Sequence, residues 1–309
     1  MINNVNLFRE VLYKDFNNRK EKFKQGKFHL AHYTSSKTAA NILKNNQIWL
    51  CNVQYMNDYS EISNGIDLFD NVIYNSKEGK LLCNALNKLS PNMLNLLVKA
   101  LEEIKYKFME TYVFCLTEFN NEDIVFGRLS MWRAYANKDG VALVFNNKIL
   151  QDIPNIDFLS MYYFDENDLQ KECCNLTNDI EKNFDSIRKI PLQELIDILF
   201  TKIAYSYLSL KHKAFSEERE WRVLYNSCFM QNNNSLELSL ENCFDTPRFV
   251  YKFDLEKAGL KIDDILEKIL IGPSNNSKQL RDIFIKILKD KGIANAEERV
   301  ICTNIPLRC

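Results

Sequence analysis

Val5, Phe8, Val11, Leu12 and Phe16 recur every three to four positions, and this period predicts an amphipathic helix over about residues 4–25, stopped near Gly26. Leu30-Ala31-His32-Tyr33-Thr34 then reads as a strand, Ser36 to Asn46 as a helix and Ile48-Trp49-Leu50 as a second strand. After a loop at 51–58, with Asp58 or Ser60 as cap, Ile62, Ile66, Phe69 and Ile73 mark another helix. The helical pattern continues over 80–109 with a break near Ser90-Pro91. Tyr112 to Leu116 is a continuous apolar, β-prone run of the kind that forms a buried central strand, and it ends in Thr117-Glu118. A short helix at 130–136, a turn at Asn137-Lys138-Asp139-Gly140 and a second buried strand at 141–145 follow.

Residues 158–164 read as a strand. Two helices are predicted over about 167–213, the second beginning at Pro191 and carrying Leu195, Ile196, Leu199, Ile203 and Tyr207 on one face. Strands are expected at 221–225, around 248–253 and at 265–271, with a polar loop through Asn232-Asn233-Asn234 between the first two. Gly272 to Asn276 turns into a helix, and 299–303 makes a closing strand. With no internal repeat or low-complexity linker, the expected architecture is one mixed α+β domain over 28–309, preceded by the N-terminal helix (1–27) and carrying a helical insertion at about 167–213.

Composition narrows the class. The 309 residues are 46% apolar and 26% charged, the balance of a globular protein with one large core or two modest ones. Lys plus Arg (40) nearly cancels Asp plus Glu (41), so no global field favours nucleic acid or an anionic membrane. The basic run Arg19, Lys20, Lys22, Lys24 and Lys27 has a simpler reading as cations near a helix C-terminus. Nine Cys without a CxxC pair fit neither a zinc site nor a secreted disulfide framework, so a reducing cytoplasm is the expected compartment. The N-terminus has no basic segment followed by an apolar run, and about 18 consecutive apolar residues occur nowhere, so neither export nor a membrane span is expected. Three His argue against a His-rich metal centre, leaving a carboxylate-only Mg²⁺ site open. Walker, GxGxxG, GxSxG and HExxH motifs are all missing.

The candidate chemistry is sparse. His32 sits in an apolar strand, where it is a core histidine or a ligand contact. In Ser216 to Arg222, read as extended, Glu218, Glu220 and Arg222 share one face; an exposed ion-pair network is the plain alternative. Glu118 ends a buried strand, and Arg133 and Tyr135 follow in the next helix, where side chains commonly enter a cleft. Trp132 and Tyr135 have packing as their plain role, Asn57-Asp58 and Ser274 to Ser277 have capping, and Cys51 or Cys115 could pair with His32 as a nucleophile.

Six blocks carry a resemblance: His32-Tyr33-Thr34, Met56 to Glu61, Cys115 to Glu118, Met131 to Ala136 with Gly140, Phe215 to Arg222, and Ile269 to Pro273. In this order they resemble a bacterial family catalogued as domain of unknown function 2971. More distantly, the order of elements is similar to the ADP-ribosyltransferase superfamily, with His32-Tyr33-Thr34 in the place of its His-Gly-Thr-like strand and Glu218-Arg219-Glu220 resembling its Glu-x-Glu pattern. The resemblance implies a split mixed β core and NAD as substrate. It also implies transfer of ADP-ribose to a nucleic-acid or protein acceptor, in a toxin or phage-defence setting. By the same resemblance His32 would hold the adenosine-side ribose, the Tyr33 backbone the carboxamide, and Glu220 or Glu218 the reacting ribose. Thr34 completes that strand motif. Tyr135 or Trp132 would stack on nicotinamide, and Arg133 or Arg222 would meet the pyrophosphate or an acceptor. Two other classes compete: a non-catalytic nucleotide-binding module, and a Mg²⁺ nuclease using Asp58, Glu118, Glu218 and Glu220.

Overall fold

A computed structural model describes residues 2–55, 59–136, 138–150, 155–231, 233–243, 246–303 and 305, apart from the side chains of 2, 59–62, 103–106 and 150. Its first half runs α1 (Ile2–Leu12), α2 (Lys14–Lys24), β1 (His29–Ser35), α3 (Ser36–Asn45), β2 (Gln47–Asn52), α4 (Tyr59–Asn75), α5 (Lys77–Leu89), α6 (Met93–Ile104), β3 (Thr111–Phe119), α7 (Leu129–Tyr135) and β4 (Gly140–Phe145). There follow β5 (Asp157–Ser160), β6 (Tyr162–Tyr163), α8 (Glu166–Lys182), α9 (Phe184–Ile187), α10 (Leu192–Ser209), β7 (Leu210–Lys211), β8 (Glu220–Asn226), β9 (Leu236–Cys243) and β10 (Thr246–Asp254). The chain closes with α11 (Ile262–Ile265), β11 (Leu266–Ile271), α12 (Ser277–Asp290), α13 (Ala296–Arg299) and β12 (Val300–Cys302).

Two compact units form. The first takes residues 1–20, 53–110 and 159–217 and is mainly helical. Its core gathers Phe8 and Leu12 of α1, Val72 of α4, Leu82 and Leu86 of α5, Leu97 of α6, Cys173 and Ile180 of α8, and Leu195 and Leu199 of α10, all on the apolar stripes that helical spacing marks. The predicted helix over 4–25 is interrupted at Tyr13, where the apolar residues thin out into the Lys- and Asn-rich α2. Pro191 is the N-cap of α10 and not part of its first turn. The strand predicted over 158–164 is two short strands divided at the buried Met161. The cap expected at Asn57-Asp58 lies outside the described residues.

The second unit, residues 21–52, 111–158 and 218–309, is built on one sheet. Its strand order is β12-β11-β4-β1-β3-β2-β10-β9, and β8 also pairs with β3. In this order only β11 and β12 pair in parallel. Ser35 caps α3, its hydroxyl accepting from the Thr38 N–H at 3.1 Å, so the β1-α3-β2 start follows the sequence expectation.

The sheet forks at β3. β8 runs along one edge of β3, from Thr111↔Asn226 to Thr117↔Glu220. The other edge is shared, because β1 pairs with residues 117–119 and β2 with residues 112–113. Beyond Ala31, β1 therefore keeps β4 as neighbour on one side only. β9, expected as polar loop, is a full strand paired with β10 over eight positions.

Candidate functional site

Register assigns faces. Opposed residues of antiparallel strands share a face, so Ala31 and Thr117, and with them Tyr33 and Glu220, lie on one side of the sheet. The helix α7 packs on that side, with the Trp132 ring edge-on to Tyr33 at 4.7 Å. Trp132 is buried, its indole N–H donates to the Phe126 carbonyl at 2.8 Å, and it presses so closely on Gly272 that a Cβ there would come within 2.8 Å of the ring. It is a packing anchor, not an open stacking surface.

Arg128 ties the same side together. Its guanidinium donates to Thr117 Oγ1 at 3.0 Å, to Asp123 Oδ2 at 3.3 Å and to the Glu118 carbonyl, while its backbone N–H donates to the Tyr33 hydroxyl at 3.0 Å. Burial pushes the Tyr33 phenol up to about 12, so it stays protonated. The Thr117 hydroxyl in turn donates to the Glu218 carbonyl.

The acidic segment differs from the expectation of one extended face. Arg219 sits in the left-handed region at φ 44°, Glu218 closes a short 3₁₀ turn (Lys213–Glu218), and β8 begins only at Glu220. This backbone reversal separates the two carboxylates. Glu220 is buried and accepts from Arg222 twice, from Nε at 2.7 Å and from a terminal nitrogen at 3.2 Å. Glu218 is partly exposed and accepts from the Tyr135 hydroxyl at 3.0 Å. α7, which carries Tyr135, also exposes Arg133, and the exposed Val125, Phe126 and Leu129 precede them in sequence. Of the two glutamates, Glu218 is the one solvent and ligands reach.

His32 takes the opposite face, with Leu30 and Glu118. β3 lies between β1 and β8, so the histidine strand and the acidic strand do not meet as neighbours. The imidazole instead sits in the fork, with Nδ1 2.9 Å from the Cys115 carbonyl and the ring 4.2 Å from that of Phe114. Burial holds its pKa down at about 4 against the gain from the Cys115 carbonyl, so the ring is neutral near pH 7. A neutral ring beside a carbonyl donates from Nδ1, which leaves Nε2 as an acceptor. Thr34, partly buried, pairs with Val141 on the arm leading away from β3.

The remaining candidates sort as follows. His32 approaches Cys115 through its carbonyl, not its thiol, and burial pushes the Cys51 thiol up to about 11, so neither forms an activated Cys–His pair. Glu118 accepts from the Trp221 indole at 3.1 Å on the face away from Glu220, which splits the carboxylates invoked for a metal; Asp58 lies outside the described residues. Among the described residues no group of three or more His, Cys, Asp or Glu side chains is placed to hold a metal ion. Ser274 Oγ accepts from the Asn276 N–H at 3.0 Å, a local turn. Arg128, Thr117 and Asp123 were not singled out from sequence, although Asn120 and Asp123 carry the spacing of a capping box that fixes this loop. No helix among the described residues is long and apolar enough to cross a membrane.

A family model described as "Protein of unknown function (DUF2971)" matches residues 131–223, a stretch that contains most of α7 and all of the Glu218 to Arg222 segment. No curated protein and no solved structure matches the chain.

Proposed function

We propose that the sheet unit is an ADP-ribosyltransferase-like enzyme that cleaves the nicotinamide–ribose bond of NAD and transfers ADP-ribose to a nucleic-acid or protein acceptor. The observation that carries the reading is the fork: past Ala31 the backbone of β1 faces a gap in the sheet instead of a strand, an edge suited to hydrogen bonds with a carboxamide. Loss of nicotinamide develops positive charge on the ribose, and Glu218 is the accessible carboxylate to stabilise it, oriented by the Tyr135 hydroxyl. Arg133, exposed on the same helix as Tyr135, offers a cation to the pyrophosphate. Glu220 and Arg222 act beneath as a buried positioning pair, and His32 positions the fork through the Cys115 carbonyl.

The test is nicotinamide release from NAD by wild type, Glu218→Gln and Glu220→Gln, with and without nucleic acid and lysate, with mass spectrometry of the acceptors. Release that falls at least a hundredfold in Glu218→Gln, with ADP-ribose on an added macromolecule, supports the reading. One observation favours a second reading, a nucleotide-binding module without chemistry: the carboxylate of Glu220 is already engaged by Arg222. NAD binding without release would select it, and neither binding nor release would refute both.

A further inference from the structure

A second candidate site lies wholly within the helical unit and owes nothing to the reading above. Leu12, Phe69, Leu86, Leu97, Leu169 and Leu199 help enclose an apolar cavity of about 100 Å³. A polar pocket of about 360 Å³ adjoins it, with Lys14, Asp15, Asn175 and Asp179 in its walls, and the two share Tyr162, Glu172 and Lys202. These three side chains thus stand between hydrocarbon on one side and charge on the other.

The groups at the junction carry charge that aromatic faces and distant carboxylates answer only in part. The Lys202 ammonium lies over two aromatic rings, 5.3 Å from the centre of Tyr13 and 5.6 Å from that of Tyr162. Among the described residues, neither this ammonium, nor the Tyr162 hydroxyl, nor the carboxylates of Asp15 and Glu172 has a hydrogen-bond or ion-pair partner. Burial lowers the Lys202 pKa, and Glu172 and Asp15 hold it up from farther away. An ammonium with three donors and a partly desolvated position gains most from a carboxylate, and the two acidic groups nearby match an ammonium on the same ligand. Size favours the tail: a cavity of about 150 Å³ accepts benzene, so this smaller one favours a branched chain of three or four carbons over a ring.

We infer that the helical unit binds a small aliphatic α-amino acid, with its side chain in the apolar cavity, its carboxylate on Lys202 and its ammonium between Glu172 and Asp15. The test is calorimetric titration of the full chain with L-leucine, L-isoleucine and L-valine, set against glycine, L-phenylalanine, leucinamide and 4-methylpentanoate. At least one branched amino acid is expected to bind one to one, with leucinamide and 4-methylpentanoate at least about tenfold weaker because each lacks one charge. Lys202→Met, which keeps the apolar stem, is expected to lose binding at least tenfold while its circular dichroism and melting stay those of wild type. No heat with any branched amino acid, equal binding of 4-methylpentanoate or phenylalanine, or undiminished binding by a folded Lys202→Met would each overturn the assignment. Should Lys202→Met fail to fold, the wild-type ligand series decides alone.

Discussion

His32→Gln should remove a defined part of the protein's acid sensitivity. In the folded chain the imidazole titrates at about 4, against 6.5 for the free side chain. Between those values the unfolded chain binds the proton and the folded chain does not, so stability is complete above about pH 6.5 and falls as the pH drops towards 4. At about 1.36 kcal/mol per pKa unit, the linkage amounts to about 2 kcal/mol between pH 7.5 and 5, and to about 3 kcal/mol once both states are protonated. Gln keeps a donor for the Cys115 carbonyl and cannot be charged. The assay is urea unfolding of wild type and His32→Gln at pH 7.5, 6, 5 and 4.5; other groups act in both proteins, so the gap between the two curves isolates His32. Wild type should lose about 2 kcal/mol more than the variant between pH 7.5 and 5. Parallel profiles would refute the partly buried, neutral imidazole in the fork.

Arg222→Met removes the guanidinium that the buried Glu220 carboxylate accepts from and should cost about 3–5 kcal/mol in chemical unfolding, whereas Glu220→Leu with Arg222→Met should recover most of it; a double variant as unstable as the single would contradict the pair's geometry. Gly272→Ala drives a methyl into the Trp132 ring and, by thermal melting, should destabilise by about 1–3 kcal/mol with quenched or shifted tryptophan emission; an unchanged melt would mean the ring is free to move. Tyr135→Phe removes the hydrogen bond to Glu218 and should lower nicotinamide release about tenfold without altering the melt, since Tyr135 is 40% exposed.

Local chemistry made the β1-α3-β2 start legible: β-prone runs flank a helical stretch, and Ser35 stands where a cap belongs. The buried strands β3 and β4 were equally plain, because a sheet interior demands unbroken apolar runs. β9 is legible too, for Leu236, Leu238 and Leu240 alternate with polar residues at strand period, although the Asn-rich stretch before them reads as loop. The arrangement of the site was not legible. Parity assigns faces only within a strand, and the left-handed Arg219 stands between the 3₁₀ turn that ends at Glu218 and the strand that starts at Glu220, with no glycine to announce it. Nor does any local pattern reveal that β1 and β2, separated by one helix, would divide a single edge of a strand about 60 residues farther on.

That shared strand also sets the order in which the protein can be made. β3 draws its neighbours from residues 29–31, 51–52 and 220–226, so its two edges are completed at opposite ends of biosynthesis. A nascent chain can close β1 and β2 onto β3 early, but the Thr111 to Thr117 edge stays open until β8 leaves the ribosome about a hundred residues later. For that interval Tyr112 to Leu116, a continuous apolar run, offers bare backbone to any other chain. Its dependence on chaperones should therefore be greatest during translation and fade once Asn226 is out.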